Sequence, residues 1–441
     1  MVNEKLPKFW FLHPKLEPPQ TGKTARTVAR GHRVRTLLII TQFYPPDFAA
    51  TGQLISELAA QLSDLKIKVS IFTGQPGYAF TKESAPQREA TERVSIQRSR
   101  TSRILPLRIR GRAINGLLFC LRAAMHLLKT AKKRDILMVT TEPPYLPIMG
   151  YLANLVFGLP YVCLIYDLYP DVAVELNVVP AKHWLVRLWD RCNRQIWQRA
   201  RAIVVLSSTM KQRIVAKCPE IADKITIVPS WADPKLISPL DKQRNWFAQK
   251  FNLTNKFTVL YSGNLGRCHD LDTILLAAQH LRDEPIQFVF IGRGAKLQSC
   301  LDQVQCLELT NCQFMPFQDK AVLPYSLTAC DLSLVSIGLG LEGIIAPSKL
   351  YGILAAGRPV AAICASDSYL RQLLDEADCG RAFDNGDSWG LARFIRHLAA
   401  NPLKASHLGR SGRRYLEDHF TPEIVARKYL EVFDQAFLGD E

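Results

Sequence analysis

The chain contains no Cys-x-x-Cys pair, no His-Glu-x-x-His, and no two of its 9 histidines four residues apart. Its 11 cysteines are odd in number and widely spaced. That argues against a disulfide framework or a Cys/His zinc site and fits reduced thiols in a cytosolic compartment. Gly (24) and Pro (26) are near average for 441 residues, so collagen-like and low-complexity classes are excluded. A secretory signal is not expected either, because KFWFLHPKL breaks after a few residues. LPIMGYLANLVFGLPYVCLIY (146–166) has the length of a bilayer span. Pro160 interrupts it after Gly158, so a helix ending near Phe157, a turn and a buried strand fit better.

What is present is a large apolar fraction: 48% hydrophobic and 22% charged residues, enough for a sizeable core and for two to four domains. The net charge of +16 is uneven. Residues 1–36 hold eight basic and two acidic residues, and residues 88–134 hold thirteen and two. The rest is close to neutral. Two basic segments on a neutral body suit an anionic surface or ligand. Nucleic acid is not the expected partner, since no recognisable motif and no interleaved aromatics accompany the charge. Residues 1–35, with Pro7, Pro14, Pro18 and Pro19, read as a disordered basic arm.

From residue 35 onward, short β-branched runs alternate with helical patterns. RTLLIITQF, KVSIFTG, DILMVTT, YVCLIYD, AIVVLS and KITIVPS form one series. After a break at 234–256, FTVLYSG, IQFVFIG, CQFMPF, LSLVSI and RPVAAIC form another, and helical patterns follow at 388–399, 403–418 and 422–438. Continuous apolar strands separated by helices indicate parallel, doubly wound sheets. Two such series predict two lobes facing across a cleft.

Ligands of open parallel sheets bind beyond the carboxyl ends of strands, where helix N-termini favour anions. Four loops therefore stand out. Residues 44–52 end in Ala49-Ala50-Thr51-Gly52, small enough for close backbone approach, with Thr51 as a helix cap. Gly263-Asn264-Leu265-Gly266-Arg267 offers glycines and a bidentate donor for phosphate. In the segment 341–359, Pro347 suits the first turn of a helix ending at Gly357, which puts Ser348 and Lys349 in that turn. A lysine there opposes the macrodipole unless an anion occupies the end. Asp167 closes the strand YVCLIY, placed to accept a sugar hydroxyl or to act as a base; capping of the following helix is the plainer alternative.

Taken in order, TQFYPPDFAATG, TTEPPYLP, YDLYPDVA, IVVLSSTMKQRI, IVPSWAD, YSGNLGRCHDLDTIL and APSKLYGILAAGRPVAAI resemble glycosyltransferase family four, of the exopolysaccharide and O-antigen type. The likeness spans roughly residues 36–435. It implies an α/β GT-B fold of two Rossmann-like parallel-sheet domains. The expected boundaries are 1–35 (arm), 36–240 (acceptor side), 241–421 (nucleotide-sugar side) and 422–441 (a helix crossing back). It implies retaining transfer, of hexosyltransferase type, from a nucleotide-diphosphate sugar to a saccharide or lipid-linked acceptor, with no cofactor and no metal; no clear Asp-x-Asp was read in a β/α context.

By the same likeness, Arg267, Ser348, Lys349 and the backbone of Leu350 and Tyr351 meet the donor diphosphate, beside Gly263 and Asn264. Phe317 lies near the base, and Gly52 lets the first lobe approach. Asp167 and Glu342 are the implied catalytic pair, at the acceptor and at the donor-sugar hydroxyls. Three positions depart from the family pattern: Gly352 stands where a second Glu would hold the ribose, His269 where Lys is frequent, and Asn264 where Arg is frequent. The competing readings are a GT-B nucleotide-sugar epimerase and a non-catalytic basic protein binding lipid or nucleic acid. A last expectation concerns residues 106–133, whose Ile114, Leu117, Leu118, Leu121, Met125 and Leu128 recur at helical spacing. That stripe either packs on the sheet or docks, with Arg112, Arg122, Lys129, Lys132 and Lys133, on an anionic membrane surface on the cytoplasmic side.

Overall fold

A strand buried on both faces has no polar side to present, so its sequence is a continuous run of Val, Ile and Leu. Two sheets are built this way in the computed structural model, which describes residues 36–47, 49–76, 85–100, 109–130 and 135–438. The expected arm 1–35 and parts of the basic segment (101–108, 131–134) lie outside the described residues. Arg33–Glu441 forms one contact-dense unit.

The first sheet holds β1 (Thr36–Ile40), β2 (Lys68–Thr73), β3 (Arg88–Ala90), β4 (Val94–Arg98), β5 (Ile136–Thr140), β6 (Tyr161–Ile165), β7 (Ala202–Val205) and β8 (Ile225–Ile227). Their order is β3-β4-β2-β1-β5-β6-β7-β8. All pairs are parallel except β3 with β4. The second sheet holds β9 (Phe257–Ser262), β10 (Ile286–Ile291), β11 (Cys312–Met315), β12 (Leu332–Ser336), β13 (Val360–Ile363) and β14 (Gly380–Phe383). It is parallel throughout, in the order β11-β10-β9-β12-β13-β14. These are the two doubly wound sheets of a GT-B fold. Three strands, β3, β4 and β14, are additions to the sequence reading. The first two lie inside a stretch read only for its charge, and β14 (GRAF) is too short and too mixed to stand out as an apolar run.

Register sets which loops meet. Leu37 lies opposite Ile136 and Ile40 opposite Val139, so the loops after β1 and β5 emerge side by side, and Gln42 N–H donates to the Glu142 carbonyl at 3.1 Å. One face of the first sheet packs on the helices Ile109–Thr130, Pro147–Phe157 and Trp184–Arg199 through Phe119, Ala123, Ala153, Ile196 and Trp197. Its other face packs on Ala50–Asp64 and on Pro422–Leu438, whose Val425, Tyr429 and Phe433 share a core with Leu37 and Ile39. Among the described residues no helix is long and apolar enough to cross a membrane.

A loop from the second lobe clasps the first. Leu168 N–H donates to the Ile344 carbonyl at 2.9 Å. Arg213 donates from Nε to the Glu342 carbonyl at 2.7 Å and from Nη2 to the Gly340 carbonyl at 3.0 Å. Gly343 makes the close approach possible: its φ is +70°, and a Cβ there would lie 2.7 Å from the Thr209 carbonyl oxygen.

Candidate functional site

The strand ends of both sheets place the predicted residues as follows. Beyond β9, Gly263 has φ +138°, and an added Cβ would sit 3.2 Å from Lys349 Cε. The loop 263–267 and the start of the helix Lys349–Ala355 are therefore neighbours. That helix begins two residues later than Pro347 suggested, with Ser348 as an N-cap making no side-chain cap bond. Lys349 Nζ donates to the Tyr261 hydroxyl at 2.5 Å and lies 3.9 Å from that ring's centre. Tyr261 in turn donates to the Asn264 carbonyl at 3.2 Å. No carboxylate pairs with Lys349 among the described residues. The residue keeps partial access to solvent, but its ammonium is enclosed, and burial brings its pKa down to about 7.

His269, which stands where Lys is frequent in the family pattern, is buried and neutral. Its Nδ1–H donates to the Ser336 carbonyl at 2.8 Å, and burial, followed by the Lys349 charge, lowers its pKa to about 3. Arg267 is exposed and makes no hydrogen bond or ion pair among the described residues. Phe317, half-exposed, stands beyond β11, and its Cε1 would be 3.5 Å from a Cβ added at Gly292. Leu350 and Tyr351 are buried with their side chains in the core, and Leu350 N–H donates to the Pro347 carbonyl at 3.4 Å. Gly352 faces Leu327 rather than a polar group.

Asp270-Leu271-Asp272 does have Asp-x-Asp spacing, a correction to the sequence reading. Its carboxylates are engaged locally: Asp270 accepts from Thr273 N–H and Oγ1 at 3.0 and 2.7 Å, and Asp272 from Lys296 at 3.3 Å. Among the described residues no three His, Cys, Asp or Glu side chains converge as a metal-ligand set.

Glu342 is buried. Its Oε1 accepts from Thr209 Oγ1 at 2.8 Å, while Oε2 has no partner. Gly52 lies where an added Cβ would meet the Phe43 and Tyr44 backbone at 2.8–2.9 Å. Its smallness thus serves the packing of the helix Ala50–Asp64 on the preceding loop. Thr51 does not cap that helix; its hydroxyl donates to Glu142 Oε2 at 2.5 Å.

Glu142 is the residue the sequence reading passed over, although it follows β5 in the same way that Asp167 follows β6. Burial raises its pKa to about 7, with Asp167 and Asp47 adding like charge. Burial raises Asp167 to about 6, and the Asp167 charge is felt by Cys268 of the other lobe. A carboxyl held above its ordinary pKa binds more protons in the folded than in the unfolded state. Stability therefore falls as pH rises through the window from about 4.5 to about 7. Glu142→Gln is expected to flatten that slope and to melt higher than the parent at pH 8, as thermal denaturation across pH will show.

Of the two Rossmann-like lobes, one carries Lys349 and Arg267 beyond its strand ends and the other carries Glu142 and Asp167, and known proteins share both the architecture and the sequence pattern. A glycosyl transferase 4-like domain model matches residues 49–231, and a glycosyl transferases group 1 model matches residues 242–415. The chain belongs to the glycosyltransferases of family-four type. It is 26% identical over 309 residues to a protein named as the glycosyltransferase WbjE of Pseudomonas aeruginosa, covering 69% of this chain and 76% of that one. It is 31% identical over 173 residues to WcaI of Escherichia coli K12, named as a colanic acid biosynthesis glycosyl transferase, covering 38% and 42%. The structure of HepE from Anabaena with UDP and glucose superimposes with a TM-score of 0.67 at 14% identity, over 90% of this chain and 98% of that one.

Proposed function

We propose that this glycosyltransferase moves a hexosyl group from a nucleotide-diphosphate sugar to a saccharide or lipid-linked acceptor, with retention at the anomeric carbon, in the cytoplasmic stage of cell-surface polysaccharide synthesis. The observation that carries the reading is Lys349, a cation without a carboxylate partner, held against Tyr261 beside the glycine-bearing loop 263–267. A buried charge of this kind is costly until an anion meets it. In the proposed complex the diphosphate lies between Lys349 and Arg267, with Ser348, the Leu350 and Tyr351 amides and the loop at Gly263 and Asn264 around it. Phe317 stacks near the base. The colanic acid relative and the UDP-bound neighbour support the pathway and the donor class respectively.

As the anomeric C–O bond breaks, its electron pair passes to the departing phosphate oxygen, whose charge is met by guanidinium, ammonium and peptide N–H groups rather than a divalent cation. The acceptor hydroxyl forms the new C–O bond on the face the diphosphate leaves, and its proton passes to Asp167. Glu342 holds donor-sugar hydroxyls. A thermal-shift screen of nucleotide-diphosphate sugars tests the reading. The right donor at a hundredfold its dissociation constant should add about 2.7 kcal/mol of stability, unchanged by chelator. No shift with any such donor, or activity lost to chelator and restored by magnesium, would overturn it.

A further inference from the structure

The amphipathic helix Ile109–Thr130 lies on the sheet the other way round from a simple core-facing reading. Phe119, Cys120, Ala123 and Leu127 face the core, while the stripe Ile114, Leu117, Leu121, Met125 and Leu128 is 44–65% exposed. The adjoining helix Pro147–Phe157 exposes Leu152, Leu155 and Val156 at 43–67%. The next, Trp184–Arg199, exposes Trp184, Leu185 and Leu188 at 43–60%. These helices pack in sequence, the first on the second and the second on the third, and Arg199 Nε donates to Asn154 Oδ1 at 2.5 Å across the latter pair. The first lobe thus turns a broad apolar face to solvent, far more than scattered surface residues account for.

Its charge identifies what covers it. The stretch from Arg93 to Arg134 has no acidic residue, and Arg122 and Lys129 of its helix reach solvent. The middle helix, Pro147–Phe157, has no charged residue. Trp184–Arg199 adds exposed Arg187, Arg191 and Arg194, and its one carboxylate, Asp190, is taken by Lys217 at 2.8 Å. A second copy on this face would bring like-charged rims together, and residues 1–36, with eight basic and two acidic residues, are repelled by the same charge. Apolar side chains accompanied by Arg122, Lys129, Arg187, Arg191 and Arg194 match a bilayer surface with anionic headgroups, entered only to interfacial depth.

We infer that the three-helix face Ile109–Thr130, Pro147–Phe157 and Trp184–Arg199 docks this enzyme on an anionic lipid surface, seated on apolar side chains and not on charge alone. The helix Pro147–Phe157 follows the loop that carries Glu142, and Trp184–Arg199 comes after the Asp167 loop and the short helix Asp171–Glu175, so docking brings the acceptor side of the first lobe towards the bilayer. The inference goes beyond the donor chemistry: it fails or stands on lipid binding, whereas the proposed transfer fails or stands on the donor shift.

The full chain is floated with vesicles of phosphatidylcholine alone and of equal parts phosphatidylcholine and phosphatidylglycerol. Wild type should partition at least about tenfold more strongly onto the anionic vesicles. The variant L121E/M125E/V156E should lose about tenfold or more of that binding while keeping its melting temperature and its donor shift. R187Q/R191Q should reduce the preference for the anionic vesicles. The inference is overturned if wild type fails to float, if the triple glutamate variant floats as well as wild type, or if sedimentation shows a dimer that this variant dissociates.

Discussion

Lys349→Met is expected to lower kcat/KM by about 10²–10³, the usual cost of removing one group that stabilises charge developing in the transition state. It should also abolish most of the donor-induced rise in melting temperature without unfolding the donor-free protein. The second half distinguishes a ligand site from a structural lysine. In the free protein the ammonium meets a tyrosine hydroxyl and ring but no carboxylate, so removing it relieves a burial penalty. Because its pKa is depressed to about 7 from 10.5, the unfolded chain binds more protons across that interval, and stability rises with pH through it. The Met variant should lack this slope and should melt at or above the parent temperature at pH 6. Binding of a diphosphate restores the charged form, so donor binding at pH 8 should take up close to one proton. Calorimetry in two buffers of different ionisation enthalpy measures this. A variant that unfolds without donor, or that keeps the full donor shift, contradicts the assignment.

Glu342→Gln is the second large effect. Its Oε1 is held by Thr209, but Oε2 is buried with no partner, a state that costs free energy unless a ligand hydroxyl fills it. Arg213 binds the Glu342 backbone oxygen rather than the carboxylate, so the clasp between the lobes survives the substitution. Losing a hydrogen bond to a charged acceptor is worth about 1.5–3 kcal/mol, or roughly ten- to a hundredfold in kcat/KM. The melting temperature should change little. An unaltered kcat/KM would leave Glu342 as a structural residue of the clasp.

The fold was legible because its signal is local. Runs such as TLLII and IQFVFI are buried on both faces and spell out β1 and β10 without alternation. The order of strands and helices then leaves little choice of sheet. The strands β3 (REA) and β4 (VSIQR) were hidden because they are short and mixed in polarity, and pairing near a sheet edge asks for little burial.

At the candidate site, the same rule about strand ends pointed to Asp167, Lys349 and the loop 263–267, and applied evenly it points to Glu142 as well. Thr209, Arg213 and Tyr261 are a different matter. Thr209 and Arg213 matter because a loop more than a hundred residues later in the chain arrives beside them. Tyr261 matters because a lysine 88 positions away reaches its hydroxyl. No periodicity within a strand or helix encodes such pairings. The helix Ile109–Thr130 shows the converse limit: amphipathicity reported that one face is apolar, but not that a second apolar face, Phe119 with Ala123 and Leu127, would take the core.

The helix Pro422–Leu438 shares a core with β1 and β2, the first strands of the sheet to be made. Lobes generally fold as units during synthesis, amino-terminal first, yet here the part of one face over β5 and β6, beside Ala50–Asp64, waits on residues translated near the end. The nascent first lobe leaves the ribosome with the β5–β6 part of that face, including Ile136, Met138 and Val162, still uncovered, so the chain's dependence on chaperones should be greatest between completion of β8 and release of that closing helix.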